Sequence, residues 1–177
     1  MRTTKKIALA SLCAALGVVC LSIGMLLDVM DMTAALLASF LVLFCLMEMG
    51  YGYAFLVFCV ISALSLILLP SASVSWMFLL LFGYMPIAKF GLERVFRKFA
   101  WLPKLILFNA VYAAMIFLLG GVFGFTAENS FGIPVQIVYA AFFAVGNLMY
   151  LLCDILYGRL VRIYMARFRE RIRRHLK

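Results

Sequence analysis

Lysine and arginine are absent from two long stretches of this sequence, Ile7–Ala88 and Leu105–Gly158, and crowd the segments around them. Both silent stretches are built mainly from Leu, Val, Ile, Phe, Met and Ala. A helix needs about 20 apolar residues to cross roughly 30 Å of hydrocarbon, so the first stretch has room for four crossings and the second for two. Positive residues collect on the cytoplasmic side of a membrane. That rule places the N-terminus, the segment Lys89–Lys104 (KFGLERVFRKFAWLPK) and the C-terminal tail inside. The expected fold is therefore all-α: an integral membrane six-helix bundle with N- and C-termini cytoplasmic. Lys89–Lys104 is the hinge between a four-helix half and a two-helix half.

Composition excludes the main competitors. Soluble domains are about half apolar, whereas 68% of this chain is hydrophobic and its mean hydropathy is +1.15. A net charge of +9 could suggest nucleic acid. The sixteen basic residues, however, fall only at the two ends and in the hinge, as topology alone demands. Their expected partner is anionic inner-leaflet lipid, with no nucleic acid. Cys13, Cys20, Cys45, Cys59 and Cys153 all lie in apolar stretches, without the spacing of a zinc site or a disulfide framework. Cys13 and Cys20 would share a helix face at i, i+7. The opening MRTTKK plus apolar run imitates a signal peptide, but five further apolar segments favour a retained first helix.

The spans are expected at about 7–27, 32–48, 53–69, 74–88, 105–125 and 134–158, all in one transmembrane domain, with 159–177 a basic cytoplasmic tail helix. The first is rich in small residues: Ala10 and Ala14 make a small-xxx-small pair, as do Ser11 and Ala15, and such pairs let helix backbones approach closely. They serve packing within the bundle or docking of a separate subunit. In the outer turn, Asp28 and Asp31 either line a site or cap the second helix. A glycine-punctuated inner turn follows at Glu48–Gly52. Pro70 stops the third helix, Trp76 anchors the outer interface, and Pro86 ends or kinks the fourth helix. In the hinge, Phe90, Val95, Phe99 and Leu102 form an approximate helical stripe among the basic residues, closed by Pro103. Pro134 opens the sixth helix. Beyond Gly158, Leu160, Tyr164, Phe168, Ile172 and Leu176 recur every four residues among arginines, the pattern of a helix lying on the inner surface.

No catalytic constellation can be assembled, so no enzyme and no cofactor or metal is expected. The single histidine, His175, sits in the basic tail, and there is no nucleophile elbow, phosphate loop or metal motif. Asn109, Gln136, Asn147 and Asp154 are the polar groups that hydrocarbon makes expensive, and intramembrane polar groups are functional candidates. Asp154 is equally explained by an ion pair with nearby arginines. The outer side carries Asp28, Asp31 and Glu128 with no Lys or Arg, so a pocket there suits a cationic or neutral ligand. The candidate ligand-binding set is Asp28, Asp31, Trp76, Glu128, Asn129, Gln136 and Asn147.

In outline, and in the opening KKIALASLCAALGVV, the chain resembles the substrate-binding S components of energy-coupling factor transporters. That resemblance implies a multi-pass subunit of a bacterial cell membrane that binds a vitamin-like small molecule. It implies, too, that Ala10 and Ala14 dock a transmembrane coupling subunit served by ATPases. Met1-Arg2 lacks the early histidine of the metal-transporting members, which argues against nickel or cobalt. The alternative is a membrane scaffold of cell-envelope or shape machinery, similar to MreD-like rod-shape proteins in size and helix number.

Overall fold

A chain this apolar must satisfy its backbone polar groups internally, and helices do so within each segment. The computed structural model describes residues 3–27, 31–70, 73–96, 99, 101–123 and 135–168; side chains 118–123, 135–139, 142 and 167–168 are not described. Every regular element among them is a helix: α1 Thr3–Leu27, α2 Asp31–Met49, α3 Tyr51–Leu68, α4 Ser73–Met77, α5 Met85–Phe96, α6 Trp101–Phe123 and α7 Val135–Ile163, with π-helical turns at Phe78–Phe82 and Tyr164–Phe168. Among the described residues, five helical segments are long and apolar enough to cross a membrane, and Trp101–Phe117 is a shorter apolar helix. The chain divides into two compact units, the first ending at Lys104 and the second beginning at Leu105.

In the first unit α1 packs along α2 and α3 through small residues. Cys13, Ala14, Gly17, Val18, Leu21 and Gly24 form its buried face. A Cβ at Gly17 would meet the end of the Ile61 side chain at 2.5 Å, so the glycine leaves room for Ile61 of α3 as it stands. The turn between α2 and α3 shrinks to one residue, Gly50, at φ 95°, a conformation that penalises any side chain. Gly50 donates to the Leu46 carbonyl at 3.2 Å, and its own carbonyl accepts from Ala54 at 3.2 Å.

In the fourth apolar segment the break expected at Pro86 is a kink and not an end: α4 runs into a π turn, bends at Gly83–Tyr84, and resumes as α5. Proline explains the sequence of events. Pro86 has no N–H to offer the carbonyl of Phe82, four residues earlier. Gly83 donates to Phe78 at 2.6 Å, an i to i+5 bond, and the freed Phe82 carbonyl accepts from the buried Ser39 hydroxyl of α2 at 2.6 Å. Phe58 of α3 fills the notch; a Cβ on Gly83 would lie 2.6 Å from its ring. Pro86 thus sits in the first turn of α5, where a missing N–H costs little. The expected hinge helix is continuous with it. Pro103 likewise lies in the first turn of α6 and does not close the hinge.

The second unit is held by aromatic contacts between α6 and α7. Phe108 stacks on Tyr150 with centroids 4.5 Å apart, and Tyr112 meets Phe143 edge-on at 5.4 Å. Gly146 makes room for the Tyr112 ring, which would lie 2.7 Å from an added Cβ. α7 continues through Arg159 and Arg162 to Ile163 without a break at Gly158. Residues 169–177 of the expected tail helix lie outside the described residues.

Candidate polar site at the Asp31 end of the first unit

Polar side chains in a bilayer protein are placed where they find partners, because hydrocarbon supplies none. Three groups of them stand out here. The first lies where α2 and α4 begin and α3 ends. Ser73 donates its hydroxyl to Asp31 Oδ2, joining the starts of α2 and α4. One turn along α4 from Ser73 stands the half-buried Trp76. Ser75, fully buried, donates at 3.3 Å to the carbonyl of Ser65, which also accepts from Leu69 N–H at 2.8 Å. That carbonyl belongs to the last turn of α3, where the ladder of helical bonds runs out. Ser65 donates to the Ser62 carbonyl at 3.0 Å. Ser62 is 5% exposed, yet its own hydroxyl has no partner among the described residues. No Lys or Arg is present in α2, α3 or α4.

The second group gathers at the other end of the same unit. Lys6 lies 5.6 Å from the Tyr53 ring centroid, and Gly91 of α5 comes up against Tyr51, so the starts of α1 and α3 share an end with α5. There Lys89 and Lys104, only 6% and 8% exposed, converge on Glu93 Oε1 at 3.6 and 2.8 Å. The hinge is therefore not a purely basic surface. Lys89 and Lys104 turn inward to a shared carboxylate, while Val95, Phe96, Phe99, Trp101 and Leu102 are exposed. Exposed apolar side chains beside basic residues are what a segment resting in a membrane interface presents.

The third group belongs to the second unit. Asn109 and Asn147 exchange amide hydrogen bonds at 3.1 and 2.9 Å. The remaining donors return to their own helices, Asn109 to the Leu105 carbonyl at 3.0 Å and Asn147 to that of Phe143 at 2.9 Å. Both NH2 groups are used in full, which makes this a closed interhelical clasp.

Of the expected ligand set, Asp31 and Trp76 stand together in the first unit. Asn147 stands in the second, clasped to Asn109 near the Lys104 end of α6. Gln136 falls in the first turn of α7, without a described side chain, and Asp28, Glu128 and Asn129 lie outside the described residues. On α1, Ala14 is 6% exposed, buried within its own unit, and Ala10 is half-buried. The exposed small residues are Ala8, Ser11 and Ala15, one step round the helix. Asp154 is half-buried on α7. The serines of α2, α3 and α4 and the carboxylate of Glu93 were not anticipated. Pro86 signals that Phe82 needs a foreign donor, and Glu93 stands four residues after Lys89. Neither pattern names the distant partner, Ser39 or Lys104.

No family model, curated protein or solved structure matches this chain. Among the described residues, no three His, Cys, Asp or Glu side chains are grouped to hold a metal ion.

Proposed function

We propose that this chain is a six-span protein of the bacterial cell membrane, with both termini and Lys89–Lys104 cytoplasmic. On this reading it is the ligand-binding subunit of a small-molecule uptake system. The observation that carries the reading is the polar group at the Asp31 end of the first unit. A buried hydroxyl without a partner is costly in hydrocarbon, and Ser62 holds one a turn from a serine network that leads towards Asp31, Ser73 and Trp76. With a carboxylate and no cation on these helices, the site suits a neutral or cationic molecule that donates hydrogen bonds. Trp76 offers an aromatic face for the rest of it. Asp28, Glu128, Asn129 and Gln136 remain candidates on sequence grounds, while the Asn147 amide is committed to Asn109.

The resemblance to S components supplies the second half of the proposal, a coupling subunit with ATPases docked on α1. The exposed stripe Ala8, Ser11 and Ala15 is the part of α1 free to receive it, and Ser11 returns its hydroxyl to the Ile7 carbonyl at 3.0 Å, leaving no donor to be satisfied by a partner. Ala15→Trp should abolish co-purification of an ATP-hydrolysing module from the native membrane while leaving the thermal stability of the isolated protein unchanged. The burial of Ala14 favours the scaffold alternative, in which α1 is only a packing element. Unchanged co-purification with Ala15→Trp, or no ATPase module with the wild-type chain, would give that alternative the lead.

A further inference from the structure

Two thiols face each other inside the first unit, away from the Asp31 end. Cys13 of α1 is 4% exposed and Cys45 of α2 is 0% exposed. Both are free, and the two thiols lie close enough to influence each other. Helix register explains the meeting. At the far end of the same pair of helices, Gly24 lies so close to Ala34 that a Cβ on the glycine would collide with the alanine's. Cys13 stands eleven residues before Gly24, and Cys45 eleven residues after Ala34. Eleven residues complete three turns of α-helix, so the thiols fall on the seam that the Gly24–Ala34 contact defines. Ala14, Ala35 and Ala38 are buried on the same two helices, small side chains that let them lie close. A disulfide needs Cα atoms within about 7 Å, and helices touching through small residues reach that range.

We propose that Cys13 and Cys45 form a redox site, a dithiol that closes to a disulfide tying α1 to α2. The pair is shut off from water, so its oxidant is a neutral two-electron acceptor that dissolves in the bilayer, of the quinone class. In the closure two S–H bonds break and one S–S bond forms. Two electrons and two protons pass to the quinone, giving the hydroquinone, and a dithiol reductant reverses the step. The bridge fixes α1 against α2 and with it the outer stripe Ala8, Ser11 and Ala15. The site is independent of ligand binding at the Asp31 end.

The full chain in lipid nanodiscs, with Cys20, Cys59 and Cys153 changed to Ala, is treated with diamide, a neutral azo oxidant that accepts the same two hydrogens. The intact mass should fall by two hydrogens, and N-ethylmaleimide added after unfolding should find no thiol. Dithiothreitol should restore both, and Cys13→Ser or Cys45→Ser should each abolish the mass change. Wild-type protein treated alike should yield a protease fragment joining an α1 peptide to an α2 peptide, which covers a background variant that fails to fold. Two alkylatable thiols after diamide, or a cross-link between another pair of cysteines in the wild type, would overturn the proposal.

Discussion

Ser39 shows how much one hydroxyl can carry in an apolar core. Its bond to the Phe82 carbonyl replaces the one that Pro86 cannot make. Ser39→Ala would leave that carbonyl without its side-chain donor, a loss of about 1–3 kcal/mol for a buried group. Thermal unfolding in detergent should show Ser39→Ala clearly destabilised and Ser39→Thr close to wild type. Gly83 is constrained from another side: a Cβ there would meet both the Phe58 ring and, at 2.8 Å, the Phe78 carbonyl. Because a backbone oxygen cannot rotate away as a side chain can, Gly83→Ala should destabilise by more than Gly52→Ala, where nothing stands within 4 Å. The same unfolding assay compares the two.

Between elements, two of the polar contacts that hold helix to helix should respond differently to mutation. The Asn109–Asn147 clasp is neutral and reciprocal, so its members depend on each other. Asn147→Leu alone strands the Asn109 amide, whereas changing both to Leu removes the need. Interhelical hydrogen bonds in membranes are worth about 0.6–2 kcal/mol, and a double-mutant cycle should give coupling in that range. Additive single effects would mean that the two amides act separately. At the hinge, Glu93→Gln removes the carboxylate that Lys89 and Lys104 share. Breaking a fully buried pair costs about 3–5 kcal/mol; the Glu93 side chain is 37% exposed, so a loss on the order of 1–3 kcal/mol is expected. High salt should weaken wild type towards the variant. The elements themselves were legible from apolar run length, and each of α1, α2 and α3 starts within four residues of its expected position. Their junctions were not. Pro103 reads as a terminator, and Pro86 as an end or a kink, because proline breaks or bends a helix when it lies inside one, yet both occupy first turns, where the lost N–H has no role. The clasp joins two residues that the sequence marks only as expensive, since nothing local shows which polar group will face which.

For the whole molecule, the described basic residues of the first unit, Lys5, Lys6, Lys89, Arg94 and Lys104, lie towards one end together with Glu48 and Glu93, and Asp31 lies towards the other. The positive-inside rule turns that polarity into a topology. In cells, with Cys20 and Cys59 replaced, an impermeant maleimide should label Ser73→Cys from outside and reach Arg94→Cys only after the membrane is opened. Labelling of Arg94→Cys in intact cells would invert the account. The separation of the basic segments from the apolar helices was readable from the sequence. The serine network was hidden, because Ser39, Ser62, Ser65 and Ser75 resemble any small residues of a membrane helix until their partners are known. The central claim, a ligand at the Asp31 end, is tested most directly by native mass spectrometry of the protein released from mild detergent. A retained small molecule should appear as a discrete added mass in wild type and should be lost or greatly reduced in Asp31→Asn and Ser62→Val, with the fold intact by circular dichroism. A bare wild-type mass, or an adduct equally retained by both variants, would contradict the claim.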